Sequence, residues 1–203
     1  FFLHYQPEQT TSYDGKSFCD QLLAISSFVD IAMRHGLVPL IKEHPVNSFK
    51  QCRGEKFMQA LQFLLTKSGG AYIPNEFIID IDLARVGLVG TISGTVGVEA
   101  ALCGTPVIIY GQCWFSGMPN TVNISDYMAA QTRLIADDYN AMTIEDFAAF
   151  VRNLSVQWHA GSIYHNSSNW SLKGRLLEQD KIALTDFLAD IMKNTQMHKS
   201  LTT

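Results

Sequence analysis

The chain has 203 residues, 47% of them hydrophobic, which is enough to bury one sizeable core but too few for several large domains. A formal net charge of -4 argues against the broad basic face of a nucleic-acid binder, so any anion is expected to be held by local contacts. No stretch reaches the roughly 20 apolar residues that cross a bilayer, and the opening FFLHYQPEQ lacks the basic segment and cleavage site of a secretory signal.

Cys19, Cys52, Cys103 and Cys113 show no C-x-x-C spacing, and Cys103 falls in an apolar helical pattern where a thiol simply packs. This predicts a reducing, cytoplasmic setting without zinc, with attachment to the inner membrane no more than peripheral. The absence of an initiator Met leads us to expect residues before Phe1 in the native protein.

Phe1 to Tyr5 read as a buried strand and QPEQTTSYDG as a polar loop. From Ser17 to Arg34, apolar residues at Phe18, Leu22, Ile25, Phe28, Val29 and Met33 recur with a helical period. The pattern repeats as a strand in Leu37 to Pro45, a helix in Gly54 to Gly69 and a short strand in Ala71 to Pro74. Next come a short helix from Phe77 to Arg85, a strand from Gly87 to Ile92, a helix from Thr95 to Cys103 closed by Gly104, and a strand from Pro106 to Tyr110.

Strands alternating with helices through short Gly/Pro loops predict right-handed crossovers and an α/β fold: a Rossmann-like parallel sheet with helices on both faces. Beyond Gly111 the alternation weakens into a loop rich in Gly, Pro and Asn, with a strand expected at Arg133 to Ala136. A helix follows from Thr143 to Leu154, opened by a loose capping box, and a terminal helix from Gly174 to Lys193. We expect a nucleotide-binding domain over 1–155 and a helical tail over 156–203.

In open α/β sheets, ligands sit beyond the carboxyl ends of the strands. One strand runs through Ser93-Gly94-Thr95 directly into a helix, where small residues let amides approach a phosphate and hydroxyls add donors. The same residues are also ordinary helix-capping chemistry. Glu99, four residues after Thr95, shares its face and could reach a ribose hydroxyl, or simply be a solvated carboxylate. In Lys42-Glu43-His44-Pro45, Pro45 stops strand pairing and leaves His44 able to donate to a phosphate and to neutralise charge on a leaving group. The loop Gln6-Pro7-Glu8 to Ser12 mixes an acid with hydroxyls, and a plain turn accounts for it as well. Asp80 and Asp82 point to different helix faces and form no metal pair. His4, His35, His159, His165 and His198 show no ligand spacing and are expected to be core or surface residues, as are Trp158, Tyr164 and Trp170 unless they rim a substrate site.

Taken together, FFLHYQPEQTTS, KEHP and GTISGTVGVEAALCGTPVIIYG resemble the capsule polysaccharide biosynthesis family, which includes Kdo transferases, over Phe1 to about Phe115. The resemblance implies the C-terminal, donor-binding half of a GT-B glycosyltransferase. His-Pro and the Ser/Thr turn are also similar to motifs of bacterial sialyltransferases that hold a CMP-sugar phosphate. Carried over, His44, Ser93, Gly94 and Thr95 contact the donor phosphate, and Glu99, Gln6 and Glu8 the nucleoside. Glu99-Ala100 and Gly104-Thr105-Pro106 resemble the Glu helix and G-x-P turn of such domains.

His44 is the single candidate for a catalytic role, since such enzymes generally keep the base and acceptor site on the other domain. No Asp-x-Asp follows a strand on a loop, so neither metal nor cofactor is expected. The implied partners are a nucleotide-sugar donor, a glycan or lipid-linked acceptor and capsule assembly proteins, with no nucleic acid. A UDP-sugar epimerase and a non-catalytic nucleotide-binding domain stay open as alternatives.

Overall fold

The computed structural model describes residues 1–5, 14–45, 47, 53–75, 81–130 and 139–157. The chain divides into two units, Phe1–Ala141 and Met142–Thr203. In the first, β1 (Leu40–Lys42) pairs in parallel with β2 (Ala71–Ile73). A second sheet has β3 (Val89–Thr91), β4 (Val107–Ile109) and β5 (Thr121–Asn123) parallel in that order.

Residues 1–3 lie between the two sheets. Phe2 forms a parallel bridge with Lys42. The Leu3 amide donates to the Lys42 carbonyl at 2.8 Å, the Lys42 amide to the Phe1 carbonyl at 2.8 Å, and the Phe2 amide to the Gly90 carbonyl at 3.1 Å. The spatial order is therefore β2, β1, residues 1–3, β3, β4, β5. Numbered along the chain this is 3-2-1-4-5-6, an order compatible with a Rossmann-like sheet whose winding reverses between the first and fourth strands.

β3 and β4 are short but buried throughout because both faces of the sheet are covered there, and successive residues face opposite sides. At Gly90 a Cβ would lie 2.5 Å from a ring carbon of Phe28, on α1 (Gln21–Arg34). The next residue, Thr91, faces the other way: a Cβ at Gly97, in α3 (Val96–Leu102), would lie 3.1 Å from the Thr91 methyl and 2.8 Å from the Phe115 ring. Small residues at 90 and 97 thus let helices close on both sides of β3.

On the α1 side, Ile25, Phe28, Ile41, Leu61, Ile92 and Ile108 share one buried cluster. Burying each such side chain contributes about 1.5–3 kcal/mol relative to leaving it exposed. Phe1 packs edge-on against Tyr110 at 5.7 Å and tilted against Phe28 at 5.5 Å.

The helices follow the predicted period with sharper ends. Asp20 caps α1 by accepting from the Leu22 amide, so α1 starts at Gln21, after a single 3-10 turn at Lys16–Phe18. The next helix, α2 (Glu55–Ser68), ends at Gly69 in the left-handed region, as its position after the apolar period suggests.

Between 81 and 85 there is one 3-10 turn, Leu83–Arg85, capped by Asp82, where a longer helix from Phe77 was expected; 76–80 lie outside the described residues. A larger difference follows Gly111. The loop there leads into β5 and α4 (Ile124–Ala130), one further strand-helix unit where the Gly, Pro and Asn content predicts loop. The expected strand at 133–136 and helix at 174–193 lie outside the described residues.

In the second unit, α5 (Ile144–Gln157) begins with a reciprocal box: the Asp146 amide donates to the Thr143 hydroxyl at 3.1 Å, and the Thr143 amide to the Asp146 carboxylate at 3.1 Å. No helix among the described residues is long and apolar enough to cross a membrane.

Candidate functional site

The winding reversal places the carboxyl ends of residues 1–5, β1 and β3 side by side, and the polar residues of all three converge there. At the centre is His4, only 7% exposed. Its amide donates to the Gln21 side-chain oxygen at 2.8 Å, and the Gln21 side-chain nitrogen donates to the His4 carbonyl at 3.1 Å. Gln21, itself 1% exposed at the start of α1, thereby satisfies backbone groups left unpaired where the strand ends.

The His4 ring faces the loop after β3. The Ile92 amide donates to Nε2 at 3.2 Å and the Ser93 amide at 3.4 Å, so Nε2 carries no proton. The Thr91 hydroxyl, 3.0 Å away, therefore donates to Nε2, and in turn accepts from the Gly94 amide at 3.0 Å. Burial, then the charges of His44 and Arg53, lower the His4 pKa to about 4, keeping the imidazole neutral near pH 7.

At the end of β1, Glu43 is 3% exposed and fully engaged. Arg53 clasps its carboxylate in a bidentate pair at 2.7 and 2.8 Å, Tyr72 donates to it at 3.0 Å and the His44 amide at 2.8 Å. Burial pushes the Glu43 carboxyl up, but the Arg53 bonds and charge outweigh it and hold the pKa below the ordinary glutamate value. Arg53 also donates to the His4 carbonyl at 2.8 Å and lies over the Phe57 ring, 4.8 Å from its centroid. Lys42 is turned onto the Glu43 and Pro74 carbonyls at 3.2 and 3.1 Å.

Two of the cations at this strand end are therefore committed to holding the protein together. His44 is half-buried beside Tyr5, with ring centroids 6.4 Å apart, and near enough to His4 to disfavour its protonation.

Ser93 and Gly94 are half-buried and Thr95 is exposed. The Ser93 and Gly94 amides turn inward, to His4 and Thr91, rather than outward as a phosphate cradle would require. Thr95 precedes α3 but its side chain makes no capping bond, so capping does not account for that hydroxyl. One turn on, the Glu99 amide donates to the Thr95 carbonyl at 3.2 Å; Glu99 lies on the exposed side of α3, with partial desolvation raising its carboxyl pKa. Gln6 and Glu8 lie outside the described residues.

His44 and the 93–95 loop thus flank His4, which the sequence reading treated as core or surface. Its partners sit 17, 49 and 87–89 residues away, so spacing along the chain gave no sign of them. The local signals available were a polar residue ending an apolar strand and a Gln opening the next helix. Comparison with family models, curated proteins and solved structures returns no match.

Proposed function

We propose that this chain is the donor-binding, Rossmann-like half of a GT-B glycosyltransferase of capsule or surface polysaccharide biosynthesis. It takes a CMP-activated acidic sugar, Kdo or a relative, in the cytoplasm and serves a glycan or lipid-linked acceptor. The observation that carries this reading is the meeting of His44, the His4 hub and the Ser93–Thr95 loop at the winding reversal, where open α/β sheets bind nucleotides. The motif resemblance supplies the reaction class.

In this reading the His44 ring and the Ser93 and Thr95 hydroxyls donate to the phosphate of the donor. As imidazolium, His44 offsets negative charge on the departing nucleotide. Glu99, one turn into α3, accepts from a ribose hydroxyl. The acceptor and its base belong to another part of the protein.

Calorimetric titration with CMP, UDP and NAD, repeated for His44→Ala and Ser93→Ala, tests the reading. CMP binding weakened by about 1–3 kcal/mol in His44→Ala supports it, the range expected for a lost charge-assisted hydrogen bond. Preference for UDP points instead to a UDP-sugar enzyme such as an epimerase, and unchanged CMP affinity in folded His44→Ala removes the role given to that residue. CMP binding without sugar turnover in the full-length protein identifies a non-catalytic domain.

A further inference from the structure

We propose that His4 is a positioning residue: its Nε2 sets the shape of the Thr91–Thr95 loop, and through that loop the placement of the Ser93 and Thr95 hydroxyls on the ligand. The part concerning ligand rests on the functional reading above; the part concerning loop shape stands on geometry alone.

Three donors converge on one ring nitrogen, the Thr91 hydroxyl at 3.0 Å and the Ile92 and Ser93 amides at 3.2 and 3.4 Å. A single lone pair shared in this way fixes direction more than it adds energy. Thr91 extends the hold by one residue, accepting from the Gly94 amide at 3.0 Å. The ring is itself immobilised: its backbone is tied at both polar groups by Gln21 and again by Arg53, and Gly94 leaves only 3.2 Å between its would-be Cβ and the ring. A loop whose inner amides are all anchored presents its side chains outward in one arrangement.

The arrangement needs a neutral imidazole, because a protonated Nε2 donates and would repel the two amides. The titratable and charged groups facing His4 are His44 from the loop after β1 and Arg53 ahead of α2, both of which oppose its protonation, while Glu43 is neutralised by Arg53.

The test uses the protein with His4→Phe, which keeps the ring and removes the acceptor, His4→Gln, which restores an acceptor near the position of Nε2, and Thr91→Val, which removes the relaying hydroxyl at constant shape. Two quantities are read, amide hydrogen exchange at Ile92, Ser93 and Gly94, and CMP affinity. We expect exchange at Ile92 and Ser93 to quicken about 10-fold and CMP to bind about 10-fold more weakly in His4→Phe, the size of one lost hydrogen bond. His4→Gln should recover most of both, and Thr91→Val should free the Gly94 amide.

Unchanged exchange in His4→Phe overturns the hold on the loop. Quickened exchange with unchanged CMP affinity overturns the role in ligand placement. Equal losses in His4→Gln and His4→Phe point to packing alone and also overturn it. A wild-type protein that takes up no CMP removes the functional reading and with it the placement of ligand, while the exchange rates still decide whether His4 holds the loop.

Discussion

Arg53 and Glu43 form a bidentate ion pair with both side chains withdrawn from water, 8% and 3% exposed, and the same guanidinium reaches the carbonyl of His4. The pair joins the segment ahead of α2 to the end of β1 and to the central strand.

Removing one partner of such a pair leaves a buried charge without its counterion. Arg53→Met, which keeps apolar contact with Phe57, should destabilise the fold by about 3–5 kcal/mol in urea unfolding. The double variant Arg53→Met, Glu43→Gln should recover much of that loss. A double variant as unstable as the single would show that the loss comes from the other bonds of the guanidinium, such as that to the His4 carbonyl, and not from a stranded Glu43 charge.

The pH dependence of stability follows from His4. Its pKa falls from 6.5 to about 4 on folding, so the unfolded chain binds the proton more readily than the folded one. The contribution of the neutral ring is complete above pH 6.5 and is lost as pH falls toward 4, a decline of about 3 kcal/mol at most. Glu43, with its folded pKa depressed, adds a loss only below the ordinary glutamate range. Denaturant midpoints for wild type and His4→Phe between pH 7 and about 4 should therefore converge, since the Phe variant lacks the titrating group; parallel curves would contradict this.

Gly90→Ala should cost about 1–3 kcal/mol, because the new methyl meets ring carbons of Phe28 at 2.5 Å and Phe1 at 2.7 Å with a sheet behind it. Phe28→Leu in the same chain should relieve part of the clash, and a thermal melt of the three variants reads the coupling. An additive pair would place the strain elsewhere.

The order of strands and longer helices among the described residues from Phe1 to Tyr110 was legible because strands buried on both faces read as unbroken apolar runs, while helices covering them keep a 3.6 period. Val107 to Ile109 and the α1 stripe show this plainly. Thr121–Asn123 was missed because it is three residues long, half-buried and contains two polar side chains. Its identity as a strand comes from pairing with β4, not from its own pattern.

At the site, the position of His44 and the Ser93 loop at strand ends could be inferred from Pro45 and the strand-to-helix join. The inward turn of the Ser93 and Gly94 amides could not, since it depends on His4 some 90 residues earlier. Likewise Glu43 reads as one more polar residue of the KEHP loop until Arg53 and Tyr72 are seen to enclose it.

The placement of residues 1–3 has a consequence for how the fold is reached. They are the shared border of two separately hydrogen-bonded halves, and their neighbours come from about 40 residues along the chain on one side and about 88 on the other. Each half can assemble from nearer contacts, whereas the seam must close two long loops at once, so its contacts carry a larger loop-closure cost than the pairings within either half. Trimming this segment should leave two half-sheets with exposed inner edges, each open to pairing with another copy of the chain.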